Sequence, residues 1–202
     1  KKKITNSEEL PGALLQVVDK DGNVVEEWIS TDQPHEIVAK LVVDESYVLR
    51  EVRPADGWAY AEDVPFKVSH DGTVDQVKME DKPTHVVISK QEITGSEELP
   101  GCTLQVIDKN GNVVDEWVST DQPHEIKEKL IADEEYTLRE IRPADGWAYA
   151  EDIQFKVSHD GTVDQVKMED KPTHVVVSKK KITGKEELPG CHLVIKDKNG
   201  NV

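Results

Sequence analysis

Aromatic residues are scarce in this chain, at 5% of 202 positions with only two phenylalanines. A hydrophobic core is therefore expected, but not a large one. Basic residues are also in the minority: 25 Lys and Arg face 41 Asp and Glu, for a net charge of −16. That balance argues against nucleic-acid binding, which needs concentrated positive charge on phosphates. It favours solubility and mutual repulsion between copies. No apolar run approaches the ~20 residues of a membrane helix, so no membrane insertion is expected in this region. No leader-like pattern opens the chain, which reads as a mature region.

Cysteine occurs twice, at Cys102 and Cys191. Ala13 occupies the same place one repeat earlier, so the site accepts a small side chain and reads as a small core residue. No repeat holds two cysteines, which excludes a disulfide within a domain. A bridge would have to join equivalent sites of different repeats.

What the chain has in abundance is itself. "ELPGALLQV", "ELPGCTLQV" and "ELPGCHLVI" begin at Glu9, Glu98 and Glu187, a period of about 89 residues, which suits whole domains in an array. The boundaries fall at "DKPT", dividing the chain into repeat 1 (1–83), repeat 2 (84–172) and a partial repeat 3 (173–202) holding first strands only. The short junction predicts a semi-rigid row.

Each full copy reads as β. "TLQVID" and "EEYTLREI" alternate, and Asp21-Gly22 and Asn110-Gly111 are strong hairpin turns. "FKVSHDGTVDQVKME" is two runs joined by His-Asp-Gly-Thr. Only "PHEIKEKLIADEE" has room for a short turn of helix. Six or seven short strands per copy, set off by Gly, Pro, Asn and Asp, predict an all-β protein of tandem sandwich domains.

Strand alternation places three ionisable residues per copy in line with the apolar set. Val86, Ile88 and Lys90 share a face, as do Tyr136, Leu138 and Glu140, and Val166, Met168 and Asp170. In the first copy Tyr47, Leu49 and Glu51 share a face, as do Val77, Met79 and Asp81. Three readings stand. These residues lie at strand ends where alternation runs into water; or they form a buried ion cluster, which at best breaks even against an apolar core; or they react. Burial favours the neutral forms of amine and carboxyl, a nucleophile beside an electrophile. A second carboxyl can then move the proton. The product is an amide, and both charges vanish with the water released.

Three motifs carry a resemblance that spans the whole chain. They are "ISKQEITGSEELPGCTLQVIDKNGNVV", "YTLREIRPADGWAYAED" and "VDQVKMEDKP". In order and twice over, they resemble the Cna B-type, or SpaA-like, domains of Gram-positive surface proteins and pilins. The resemblance implies a prealbumin-like (Ig-like) β-sandwich with intramolecular isopeptide bonds. It implies Lys90 as nucleophile, Asp170 as acyl partner and Glu140 as catalytic acid, with Lys1, Asp81 and Glu51 in the same roles in repeat 1. Lys179 is then the unpaired lysine of the partial repeat. Two departures are plain. Pro54-Ala55 inverts the family's Ala-Pro and Trp58 replaces its Tyr. The acyl partner is Asp rather than the commoner Asn, so bonding should release water instead of ammonia.

The function expected is a stalk or spacer of a bacterial adhesin or pilin-like protein, extracellular at the cell wall. It is no turnover enzyme and uses no cofactor and no metal. Its partners would be neighbouring repeats, with any host-surface ligand bound by other parts of the parent protein. The alternative is an adhesin module recognising a host protein or glycan, which predicts surfaces that differ between copies. A further expectation is strand complementation, in which "HVVVSK" (174–179) adds to another molecule's first domain.

Other patterns in the sequence carry less. "DKDGN" echoes a calcium loop, but its glycine comes too early and the glutamate is missing. "LPGA" and "LPGC" lack the threonine of a sorting signal. The histidines recur once per repeat without metal spacing and read as solvated turn residues. Trp28, Trp117, Trp58 and Trp147 read as core or loop anchors.

Overall fold

The computed structural model describes residues 1–71, 73 and 75–202. The first-copy His-Asp-Gly-Thr turn includes Gly72 and so lies outside the described residues. Among these there is no helix and thus no span able to cross a membrane as a helix. Residues 1–172 form one compact unit and residues 173–202 a second.

Repeat 2 shows the whole sandwich. Its strands are β7 (His85–Glu92), β8 (Thr103–Ile107), β9 (Val113–Val118), β10 (His124–Lys127), β11 (Glu135–Arg142), β12 (Ile153–Lys156) and β13 (Asp164–Asp170). One sheet runs β12-β11-β8-β9, all antiparallel; the other runs β10-β7-β13. Strands β7 and β13, first and last in the repeat, pair in parallel with Met168 opposite Lys90. Alternation makes each strand amphipathic. Val86, Ile88, Leu104, Val106, Ile126, Tyr136, Leu138, Val166 and Met168 fill the space between the sheets.

Repeat 1 repeats the plan with β1 (Lys2–Lys3), β2 (Leu14–Val18), β3 (Val24–Ile29), β4 (Ser46–Arg53), β5 (Val64–Lys67) and β6 (Glu80–Asp81). Its four-stranded sheet is β3-β2-β4-β5, and β1 pairs in parallel with β6. The hairpins turn where expected. Asp19 Oδ1 accepts the Asp21 and Asn23 amides, Asp108 does the same for Asn110 and Asn112, and Gly22 and Gly111 take φ +84°. This Asx geometry needs no calcium.

The helical turn expected in "PHEIKEKLIADEE" does not form. His124–Lys127 pairs with β7 and buries Ile126, then the chain reverses through positive φ at Glu128 and Asp133. Edge pairing and burial outweigh a weak helical preference. Some histidines also differ from the turn reading. His85 and His124 lie in strands, and His35 and His124 stack on Trp28 and Trp117 at 4.4 and 4.1 Å.

The two repeats touch. Thr84 is buried, its Oγ1 lying 3.0 Å from Gly57 O and 2.8 Å from Leu130 O. Tyr60 N donates to His159 O, and the Tyr60 ring stacks on His159 at 4.2 Å. A Cβ added to Gly57 would meet Glu128 C and O at 2.5 Å, whereas at the equivalent Gly146 it meets nothing within 4 Å. Both glycines have positive φ, so the backbone strain of an alanine is shared. Gly57→Ala is therefore expected to cost about 1–3 kcal/mol more than Gly146→Ala, from the clash alone. Thermal unfolding paired with small-angle scattering checks it; equal costs would mean the junction yields freely.

Residues 173–202 carry the opening turns of the other copies. Leu188 N donates to Lys179 O, and Asp197 caps an Asx turn. An isolated bridge joins Lys180 and Glu187, without a paired strand, and Val175, Val176 and Val177 are exposed. A strand needs a partner for its backbone groups.

Candidate isopeptide site

Lys90 extends from β7 into the core and is 1% exposed; Asp170, at the end of β13, is 0%. Parallel pairing of β7 and β13 brings these residues together across 80 positions of sequence. Lys90 Nζ contacts Asp170 Oδ1 directly. From the opposite sheet, β11 presents Glu140, whose Oε1 lies 3.0 Å from the same Nζ. Repeat 1 reproduces the arrangement: Lys1 Nζ contacts Asp81 Oδ1 and lies 2.8 Å from Glu51 Oε1, with all three side chains fully buried. Of the three sequence readings, strand ends in water is thus excluded. The partial repeat leaves Lys179 exposed, with no acid equivalent to Glu140 or Asp170 in residues 173–202.

Backbone donors hold the glutamates. Ala61 N donates to Glu51 Oε2 at 2.8 Å, and Ala150 N to Glu140 Oε2 at 2.9 Å. Each Oε1 is thereby left facing the amine. The lysines are pinned as well. The main-chain nitrogens of Lys1, Lys90 and Lys179 donate to Glu9, Glu98 and Glu187. Sequence reasoning missed these holding groups, although the recurring glutamate of "ELPG" was a signal. It could not show that this side chain turns back to the lysine backbone.

Electrostatics follow from burial. Asp81 is pushed up to about 7, chiefly by loss of water, with Lys1 pulling down and Glu51 pushing up. Asp170 is raised for the same first reason, offset by Lys90 and reinforced by Glu140. Such a carboxyl can hold the proton that makes it an electrophile.

Cys102 is buried as expected, but at this site rather than in plain apolar core. Its Sγ lies 3.7 Å from Asp170 Oδ2. Cys102 Sγ and oxygens of Glu140 and Asp170 fall within 4.8 Å of one another. That spacing could suit a metal ion, yet both carboxyls already face the Lys90 amine, and a cation there would meet it. Both cysteines are free, and Cys191 is exposed.

A search of the curated proteins finds no match. Among solved structures, the Bacillus anthracis TIE protein is 17% identical with a TM-score of 0.46, over 83% of this chain and 32% of that one. The chain thus spans about a third of that protein. The shaft pilin SpaA from Lactobacillus rhamnosus GG is 12% identical, TM-score 0.41, over 86% and 89%. A C-terminal fragment of the pilus adhesin SpaC from the same organism is 15% identical, TM-score 0.44, over 88% and 97%. The family model for the SpaA prealbumin-like fold domain matches twice, over residues 1–83 and 84–172. With both complete repeats matched, the chain belongs to the SpaA family of prealbumin-like fold domains.

Proposed function

We propose that this chain is a stalk segment of a surface adhesin or pilus-like protein, with each repeat closed by a self-made amide between Lys and Asp. The single observation that carries the reading is the buried Lys–Glu–Asp cluster, present in both repeats between the first and last strands. Neutral Lys90 Nζ attacks Cγ of protonated Asp170. Glu140 takes a proton from the nitrogen and returns one to the departing oxygen, so a C–N bond forms, a C–O bond breaks and one water leaves. Each site reacts once, so no turnover enzyme results. Membership of a family that includes pilins supports placement at a Gram-positive cell wall. The neighbouring repeats are the partners, and near-identity of the copies favours spacing over recognition of distinct host ligands. Intact mass decides: the chain should be two waters lighter than its sequence. Strand complementation by residues 174–179, whose three valines are exposed, predicts association at high concentration; a strict monomer there removes it.

Bond formation in repeat 1 should depend on pH. The protonated Asp81 is populated below about 7. The rate is expected to fall about tenfold per unit as pH rises above that value. Before bonding, the folded cluster holds a proton that the unfolded chain releases from about pH 4 upward. The cluster's contribution to stability is therefore full below about 4 and is lost as pH rises through about 7. Time-resolved mass of freshly synthesised chain across this range checks the rate; a flat profile would exclude Asp81 as the acid form.

A further inference from the structure

The two complete repeats differ at one position of the reacting cluster. Repeat 2 has Cys102 where repeat 1 has Ala13, both fully buried. The consequence is visible in the carboxyls. Lys1 Nζ contacts Asp81 Oδ1, but Asp81 Oδ2 has no hydrogen-bond partner among the described residues. Asp170 has Lys90 on Oδ1 and the Cys102 thiol on Oδ2. The cysteine is held in place: Cys102 N donates to Ser119 Oγ at 2.9 Å, and that hydroxyl donates to Leu99 O at 2.6 Å.

We propose that Cys102 is a second donor to the reacting carboxyl of repeat 2, its S–H holding Asp170 Oδ2 and stabilising the oxyanion formed when Lys90 Nζ attacks Cγ. The proposal rests on the amide-forming reading above. When nitrogen adds to Cγ, the C=O electron pair moves to one oxygen while the other accepts a proton through Glu140 and leaves as water. The oxygen facing the thiol is the one that stays, and it becomes the amide carbonyl. Cys102 gains and loses no bond. Burial pushes this thiol up to about 11, so it keeps its proton to donate. A preorganised donor aimed at developing charge accelerates acyl transfer, and a thiol is a weaker donor than an amide. The expected gain is therefore about tenfold, below the hundredfold of strong donors.

The test is cell-free synthesis of the full chain with mass sampled over time, and proteolysis to assign each lost water to its repeat. Cys102→Ala should slow bonding in repeat 2 about tenfold; Ala at this position is already accommodated in repeat 1. Cys102→Ser, which keeps a donor, should restore much of the rate, and Cys102→Val, which fills the space without one, should not. Ala13→Cys should accelerate repeat 1. An unchanged rate in Cys102→Ala, or full rescue by Val, overturns the donor role while leaving the amide intact. Absence of water loss in both repeats of the parent chain overturns the amide itself.

Discussion

Glu140→Gln is expected to give a folded chain whose repeat 2 retains its water and loses about 4–5 kcal/mol of stability. Gln keeps the side-chain length and a carbonyl to accept the Ala150 amide that now holds Glu140 Oε2. What it cannot do is take a proton from the Lys90 amine, 3.0 Å from Oε1. The lost stability would be that of the proposed covalent tie spanning 80 positions, worth about 4.5 kcal/mol by loop entropy. Repeat 1 is the internal control and should still lose its own water through Glu51. Intact mass with repeat-specific proteolysis, followed by calorimetry, reads both effects. A Gln variant as light as the parent would remove Glu140 from the chemistry.

Asp170→Ala should be more damaging. It removes the tie and also strands Lys90, which is 1% exposed, with Glu140 as its one remaining anionic partner in the cluster. Breaking a buried pair in this way costs about 3–5 kcal/mol. Added to the missing tie, the loss rivals the ~5–15 kcal/mol total of an ordinary domain. Repeat 2 is expected to lose hydrogen-exchange protection in β7 and β13 while repeat 1 keeps its own. Asp170→Asn should behave oppositely. It keeps the shape, and bonding then proceeds with loss of ammonia in place of water. Wild-type protection in Asp170→Ala would show that the tie contributes nothing.

The mechanical consequence follows from topology. Tension enters a repeat near its first strand and leaves near its last, and those are the strands that Lys90 and Asp170 would join. The load would then bypass the sandwich, as a spacer requires.

Much of this was legible in the residues. Period-2 alternation put Lys90, Glu140 and Asp170 in line with Ile88, Leu138 and Met168, because a strand sends every second side chain to one face. The Asp-Gly and Asn-Gly turns followed from the need for positive φ. In "PHEIKEKLIADEE" the expected helical turn gives way to a strand over His124–Lys127, because local preference for helix is weak and pairing with β7 decides the matter.

Alone, the sequence determined which residues face inward, where strands turn and how often the plan repeats, since these depend on near neighbours. Only the tertiary structure decided that β7 and β13 lie side by side, so that Lys90 meets Asp170 while Glu140 closes from the other sheet. It alone brought the Ala150 amide to Glu140, Glu98 to the Lys90 backbone and the Cys102 thiol to the free oxygen of Asp170. These contacts join segments distant along the chain, and no local periodicity encodes the register between distant strands.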